Sequence, residues 1–194
     1  MSRTLRASIL LLFLASCGSG NFSAPRDLDD ACSIVRQRPE YLAAMRATEK
    51  QWGIPINVQM ATIHQESKFV GNARTPHQYA LGVIPMGRQS SAYGYSQALD
   101  GTWDEYQDDQ NRNRARRDRI KDATDFMGWY MDASTRSLGI PKSDAERQYL
   151  AYHEGRSGYA NGSHKGKPWL VDVADSVGRR SEMYRSQLQG CGKI

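Results

Sequence analysis

Between residues 70 and 100 the chain carries Gly71, Pro76, Gly82, Pro85, Gly87 and Gly94, while the sequence on either side reads as helix. Glycine and proline at that density break regular structure. The helices are therefore split by a connection of about thirty residues, where a compact domain normally uses about four to six. Connections of this length are usually lids or binding loops, and a small hairpin is expected within this one near 80–86. The stretch starts directly after ATIHQESKF (61–69). That helix begins as core material (Ile56, Val58, Met60, Ala61, Ile63) and ends on the polar pair Glu66-Ser67. A carboxyl group between an apolar helix and a long loop is the first sign of a site.

The remainder is a series of helix patterns with starts and stops. Pro39 suits the first turn of a helix with Tyr41, Leu42, Met45 and Trp52 on one side and Gly53 as its stop. Asn57 is the expected N-cap of the helix that ends near Glu66. Ile120, Ala123, Met127, Tyr130 and Met131 recur at helical spacing over 118–138, closed by Gly139 and Pro141. Ser143-Asp144-Ala145-Glu146 reads as a capping box ahead of Tyr149, Leu150 and Tyr152. Pro168 opens the last helix, with Val171, Ala174, Val177, Tyr184 and Leu188 expected to face inward. Strand-like alternation is almost absent, so the fold class is mainly α. At 194 residues the chain can bury one real core.

The opening segment MSRTLRASILLLFLASC places Arg3 and Arg6 before the apolar run 7–15. That run is shorter than the ~20 residues a bilayer span needs and fits a signal-peptide core. Leu14-Ala15-Ser16-Cys17 resembles the bacterial lipoprotein box, in which the cysteine becomes the lipidated N-terminus. The expected organisation is a signal peptide over 1–16, a lipidated N-terminus and tether over 17–30, and one domain over 31–194. Gly18, where an aspartate would signal inner-membrane retention, favours an anchor at the periplasmic face of the outer membrane. Cys32 and Cys191 remain, one near each end of the mature chain. An oxidising compartment favours their pairing in one disulfide.

The formal charge of +5 becomes +3 once Arg3 and Arg6 leave with the signal peptide. Much of the basic excess sits in RNRARRDR (112–119), a pattern expected of a solvated helix face or loop. No aromatic residue interleaves with it, which argues against a nucleic-acid partner. His64 and Glu66 stand two apart and do not share a helix face, so neither a metal site nor a cofactor is expected.

Three segments carry the chemistry when taken together: IHQES (63–67), AYGYSQALDGTW (92–103) and AYHEG (151–155). They resemble the ordered motifs of lysozyme-like lytic transglycosylases: a glutamate-serine pair ending a helix, a Gly-x-x-Gln turn, and an Ala-Tyr-Asn-x-Gly segment. The stretch GVIPMGRQSSAYGYSQALDGTWDEY is similar to a lipoprotein-type subgroup. The resemblance covers roughly 37–188 and implies a lysozyme-like α-rich domain, with a long active-site loop, that acts on peptidoglycan glycan strands.

The resemblance assigns Glu66 as general acid and then base. It places Ser67 beside the acid, Tyr95, Ser96 and Gln97 along the sugar cleft, and Tyr152 close to Glu66, with Tyr93 in the covering loop. His153 stands where the family pattern has asparagine, and Glu154 after it is a possible second carboxylate. Chemically, a glycosidic oxygen is a poor leaving group and needs a carboxylic acid still protonated near neutral pH, which an apolar cleft provides. A hydrolase would normally add a second carboxylate ~5 to 10 Å away. The resemblance implies instead that the C6 hydroxyl of N-acetylmuramic acid attacks, leaving a 1,6-anhydro end. A muramidase helped by Asp100, Asp104 or Glu154 is one competitor, and a non-catalytic wall-binding lipoprotein is another. Around Trp103, Asp100 or Thr102 is expected to cap a helix and Asp104 to favour its dipole. Trp52, Trp129 and Trp169 are expected in core or rim, and Arg88 either at a peptide-stem carboxylate or in solvent.

Overall fold

The computed structural model describes residues 22–194; the expected signal peptide, Cys17 and the first part of the expected tether lie outside the described residues. The helices are α1 (Ala31–Gln37), α2 (Pro39–Trp52), α3 (Ile56–Ser67), α4 (Asp100–Asp109), α5 (Ile120–Leu138), α6 (Ala145–Ala160) and α7 (Pro168–Gly190). A 3-10 turn spans Ser163–Gly166, and one antiparallel hairpin pairs β1 (His77–Ala80) with β2 (Ile84–Arg88). The α-rich expectation, the stops at Gly53 and Gly139 and the hairpin in the long loop all hold.

The core forms where α2 packs on α5 and α3 on α7, with α6 bridging α5 and α7. α3 runs through its centre and is buried continuously from Ile56 to Ile63. A helix buried on every side has to satisfy its own polar side chains. Asn57 Nδ2 donates to Ser181 Oγ at 2.8 Å, Gln59 Nε2 to the Met45 and Ile54 carbonyls at 3.0 and 2.8 Å, and Thr62 to Val58 O at 2.9 Å. Asn57 is thus an interior tie between helices and not the expected N-cap. α3 starts two residues earlier, with Pro55 as its N-cap, because Pro55 already sets the entry angle. Asp144, not Ser143, caps α6 by accepting from Arg147 N–H. Val171 and Trp169 sit on the outer side of α7 and are exposed, unlike Leu170, Ala174, Val177, Tyr184 and Leu188.

The two chain ends are tied together. Cys32 and Cys191 form the expected disulfide, with Cα atoms 6.5 Å apart, joining α1 to the end of α7. Residues 22–30, placed by the sequence reading in the tether, lie along the domain. Arg26 and Gln37 exchange two hydrogen bonds, Arg180 pairs with Asp29 at 2.6 Å, and the Tyr184 hydroxyl donates to the Leu28 carbonyl. The basic run is a loop between α4 and α5, and its charges are largely paired internally. Arg112 meets Asp125 at 2.8 Å, Arg116 meets Asp118 at 2.8 Å, and Arg117 meets Asp100 at 2.7 Å. Asp100 is therefore spent on Arg117 in the first turn of α4, whose N-cap is Leu99 without a side-chain bond.

Candidate active site

Glu66 lies in the last turn of α3. Lys68 then ends the helix in the left-handed region (φ 50°), followed by Phe69 at φ 61°. Consecutive side chains in that region store strain, on the order of 1–3 kcal/mol each. Phe69 holds the turn by being fully buried and stacked on Tyr41, ring centroids 5.8 Å apart. The abrupt exit leaves Glu66 at the border between core and loop. Ser67, expected to orient substrate, is buried and donates its hydroxyl to Ile63 O at 3.2 Å.

Glu66 is half-buried, and protein crowds its carboxyl group. Loss of hydration dominates and pushes its pKa from 4.5 up to about 7. The Tyr149 hydroxyl, within hydrogen-bonding reach, and the Lys68 ammonium pull the other way and are outweighed. Burial, reinforced by the neighbouring carboxylate, raises Tyr149 and Tyr152 above the usual phenol range, so both remain neutral donors.

The third motif is built around a break in α6. Gly155 sits at φ 73°, ψ 155°, a region essentially open only to glycine. Space is not the reason, since a Cβ there would find nothing nearer than the Tyr130 hydroxyl at 3.9 Å. Before the break, Tyr149 and Tyr152 stand three apart on one face, and both lie within electrostatic reach of Glu66. The Tyr152 hydroxyl donates to Ser96 O at 2.7 Å, which fastens the third motif to the second. His153 is exposed, with Nδ1 3.1 Å from Glu154 Oε1 and its ring edge-on to Trp169. Glu154 is not free to act as a second acid. Lys167 Nζ grips both its oxygens at 2.8 and 3.0 Å, Ser163 donates to it as well, and these bonds hold its pKa down to about 2.

The second motif is a turn that supports the site mainly from behind. Gly94 approaches the backbone so closely that a Cβ would lie 2.1 Å from Arg117 O. Its N–H bonds to Ala73 O, and Tyr95 N–H bonds to Arg117 O. Tyr95, expected along the cleft, points into the core instead, with its hydroxyl 3.1 Å from that of Tyr41. Ser96 is fully buried, and its Oγ has no hydrogen-bond partner among the described residues. Gln97 takes a left-handed turn (φ 47°), and its Nε2 ties Ala73 O and Gly94 O together. Tyr93 is clamped under Arg74, 4.1 Å from its ring, and donates to Asp118 at 3.2 Å. Arg88 donates to Thr75 O at 2.6 Å.

Gln97, Leu99, Thr102, Tyr130, Tyr152 and His153 are among the residues lining a cavity of about 240 Å³. Glu66 is not in that lining; Tyr152 is shared, being both a cavity wall and a neighbour of the carboxyl group. A larger hollow of about 420 Å³ lies under Asn111, Arg112 and Arg119 and shares no residue with this region. The smaller cavity is the candidate cleft, because residues of the second and third motifs line it together. Sequence reasoning treated Tyr149 only as core and did not single out Lys167. The spacing of Tyr149 to Tyr152 was the available signal for the first. Nothing local marks Lys167, which reaches Glu154 across the 3-10 turn.

A family model described as Transglycosylase SLT domain matches residues 5–191. No curated protein sequence matches the chain. Because the family match runs through all the helices that frame Glu66, the chain belongs to the transglycosylase SLT domain family of lysozyme-like lytic transglycosylases.

Proposed function

We propose that the protein cleaves the β-1,4 bond between N-acetylmuramic acid and N-acetylglucosamine in peptidoglycan, forming a 1,6-anhydro end, with Glu66 as its single acid/base. The observation that carries this reading is the half-buried Glu66 carboxyl, raised to about 7 by lost hydration, so that near neutral pH it can both give and take a proton. Protonated Glu66 donates to the bridging oxygen as the bond from muramic C1 to that oxygen breaks. The muramic C6 hydroxyl oxygen attacks C1, and ionised Glu66 takes its proton. No water is consumed, and the glutamic acid is regenerated. The Tyr149 hydroxyl steadies the carboxylate between the two proton transfers. Glu154 favours this route over hydrolysis, since a carboxylate held at about 2 by Lys167 and Ser163 is a feeble base for activating water.

Digestion of purified peptidoglycan, followed by reduction and mass analysis, tests the proposal. Anhydro products lie about 20 Da below reduced hydrolytic ones, the difference of one water and two hydrogens between the two displacement routes. Reducible ends alone would establish a muramidase. Equal clearing by Glu66→Gln would remove Glu66 from the chemistry. We also propose that Cys17 carries a lipid and holds the enzyme on the periplasmic side of the outer membrane, as its lipoprotein-box setting and Gly18 suggest. The mass of the N-terminal peptide tests that assignment.

A further inference from the structure

The β1–β2 hairpin has no role in the site described above, and its composition is unusual for a free-standing element. Among the described residues no other helix or strand packs against it. A lone two-stranded hairpin is marginal in water, yet this one exposes apolar side chains on both faces. Leu81 is 90 % exposed and Val83 76 %, with Tyr79, Ile84 and Met86 also open to solvent. A contiguous patch of this kind on a small domain marks an interaction surface. Around it the charge is of one sign. Residues 67–99 contain no aspartate or glutamate but do contain Lys68, Arg74 and Arg88. Arg74 and Arg88 are exposed, and neither is paired with a carboxylate among the described residues.

The path of the N-terminal segment identifies the occupant. Gly71, at the foot of the same loop, donates its N–H to the Phe22 carbonyl at 2.9 Å. The first described residue of the chain therefore sits at Gly71, six residues before β1 begins. Cys17 stands about five residues before Phe22, a reach of at most about 18 Å fully extended. If Cys17 carries a lipid, Gly71 at the foot of the loop that bears the hairpin is held close to the bilayer.

We propose that the hairpin is a membrane-contact element. Its tip of Leu81, Val83 and Ile84 enters the boundary between headgroups and acyl chains, while Arg74 and Arg88 lie at the phosphates of anionic lipids. The inference rests on the reading of Cys17 as the lipid attachment. Aliphatic tips with basic flanks suit such a surface. A glycan strand would be met better by hydrogen-bonding groups, which the tip lacks. Strand addition by a second copy is opposed by Pro85 within β2 and by the charge of Arg88 at its end. Anchor and hairpin together would give the domain one orientation on the membrane.

The test labels full-length Val83→Cys with an environment-sensitive fluorophore and adds vesicles of phosphatidylethanolamine and phosphatidylglycerol. Full-length Ser137→Cys, labelled on exposed α5 surface, is the control. The label at 83 is expected to shift to the blue and be quenched by nitroxide on the acyl chains, while the label at 137 does neither. Adding Leu81→Asp and Ile84→Asp, both at exposed positions, should cut that quenching by about tenfold or more. A label at 83 that stays in water with vesicles overturns the proposal. So does a shift produced by peptidoglycan but not by vesicles, or one that appears without lipid and grows with protein concentration. The N-terminal peptide mass separates the two claims. A lipidated Cys17 with a label at 83 that stays in water sinks the hairpin alone, whereas an unmodified Cys17 with quenching at 83 sinks the anchor alone.

Discussion

Replacing Glu66 with glutamine removes a charge from a place that cannot solvate it while keeping the side chain's shape. In the folded protein the carboxyl titrates at about 7 in place of 4.5, with burial the largest cause and Tyr149 and Lys68 opposing it. Below pH 4.5 the group is neutral in both the folded and unfolded chain and costs nothing. As pH rises from 4.5 towards 7, the unfolded chain ionises freely while the native state retains its proton, so native stability falls. It levels off above the folded pKa. The difference of about 2.5 units corresponds to about 3 kcal/mol. Glu66→Gln cannot ionise and escapes this loss, so at pH 8 it should be more stable than the unmodified protein by about 3 kcal/mol. The advantage should vanish below pH 4.5. For a domain of this size that is a rise in Tm of roughly 6–12 °C. Urea or thermal unfolding of both proteins at pH 4 and pH 8, with the disulfide intact, gives the comparison. A stability difference that is the same at both pH values, or a variant weaker at pH 8, would falsify the claim that Glu66 is desolvated. Such a gain is expected where a site is strained for function, in line with the acid/base role proposed for Glu66.

Tyr149→Phe removes a donor to ionised Glu66, worth about 1.5–3 kcal/mol for a charged acceptor. The carboxyl pKa should rise by about one to two units, and the descending limb of the activity–pH profile should move to higher pH; an unmoved limb means Tyr149 does not touch the charge. Gly155→Ala meets no clash but must hold a side chain at φ 73° and ψ 155°, costing about 1–3 kcal/mol in a urea melt. Activity should fall with it, since the break in α6 sets Tyr152. Replacing both Cys32 and Cys191 with alanine opens a loop of 159 residues, worth about 5 kcal/mol in the chain-entropy model. Equal midpoints for oxidised parent and variant would show that α1 and α7 hold each other without the bond.

The parts of this protein legible in the linear sequence are those decided within a few residues. Gly53 and Gly139 end helices because they accept left-handed backbone angles, and Pro39 and Pro168 begin them because they lack the N–H a first turn leaves unpaired. Glu66 was legible for a related reason: an apolar helix that stops on a carboxyl group and runs into a long glycine-rich loop is a local pattern. The direction in which the side chains of that loop and of the third motif face was not local. Tyr95 turns inward because Tyr41 from α2 and Gly71 make room for it. Asn57 ties α3 to α7, and Glu154 is claimed by Lys167 from the start of α7. Backbone propensity acts over one helical turn, whereas hydration and charge pairing depend on whatever the packed chain brings within a few ångströms. The sequence alone could nominate Glu66 as a carboxylic acid. Only the tertiary structure strips water from it and engages Glu154 with Lys167, because both depend on residues far away in the chain.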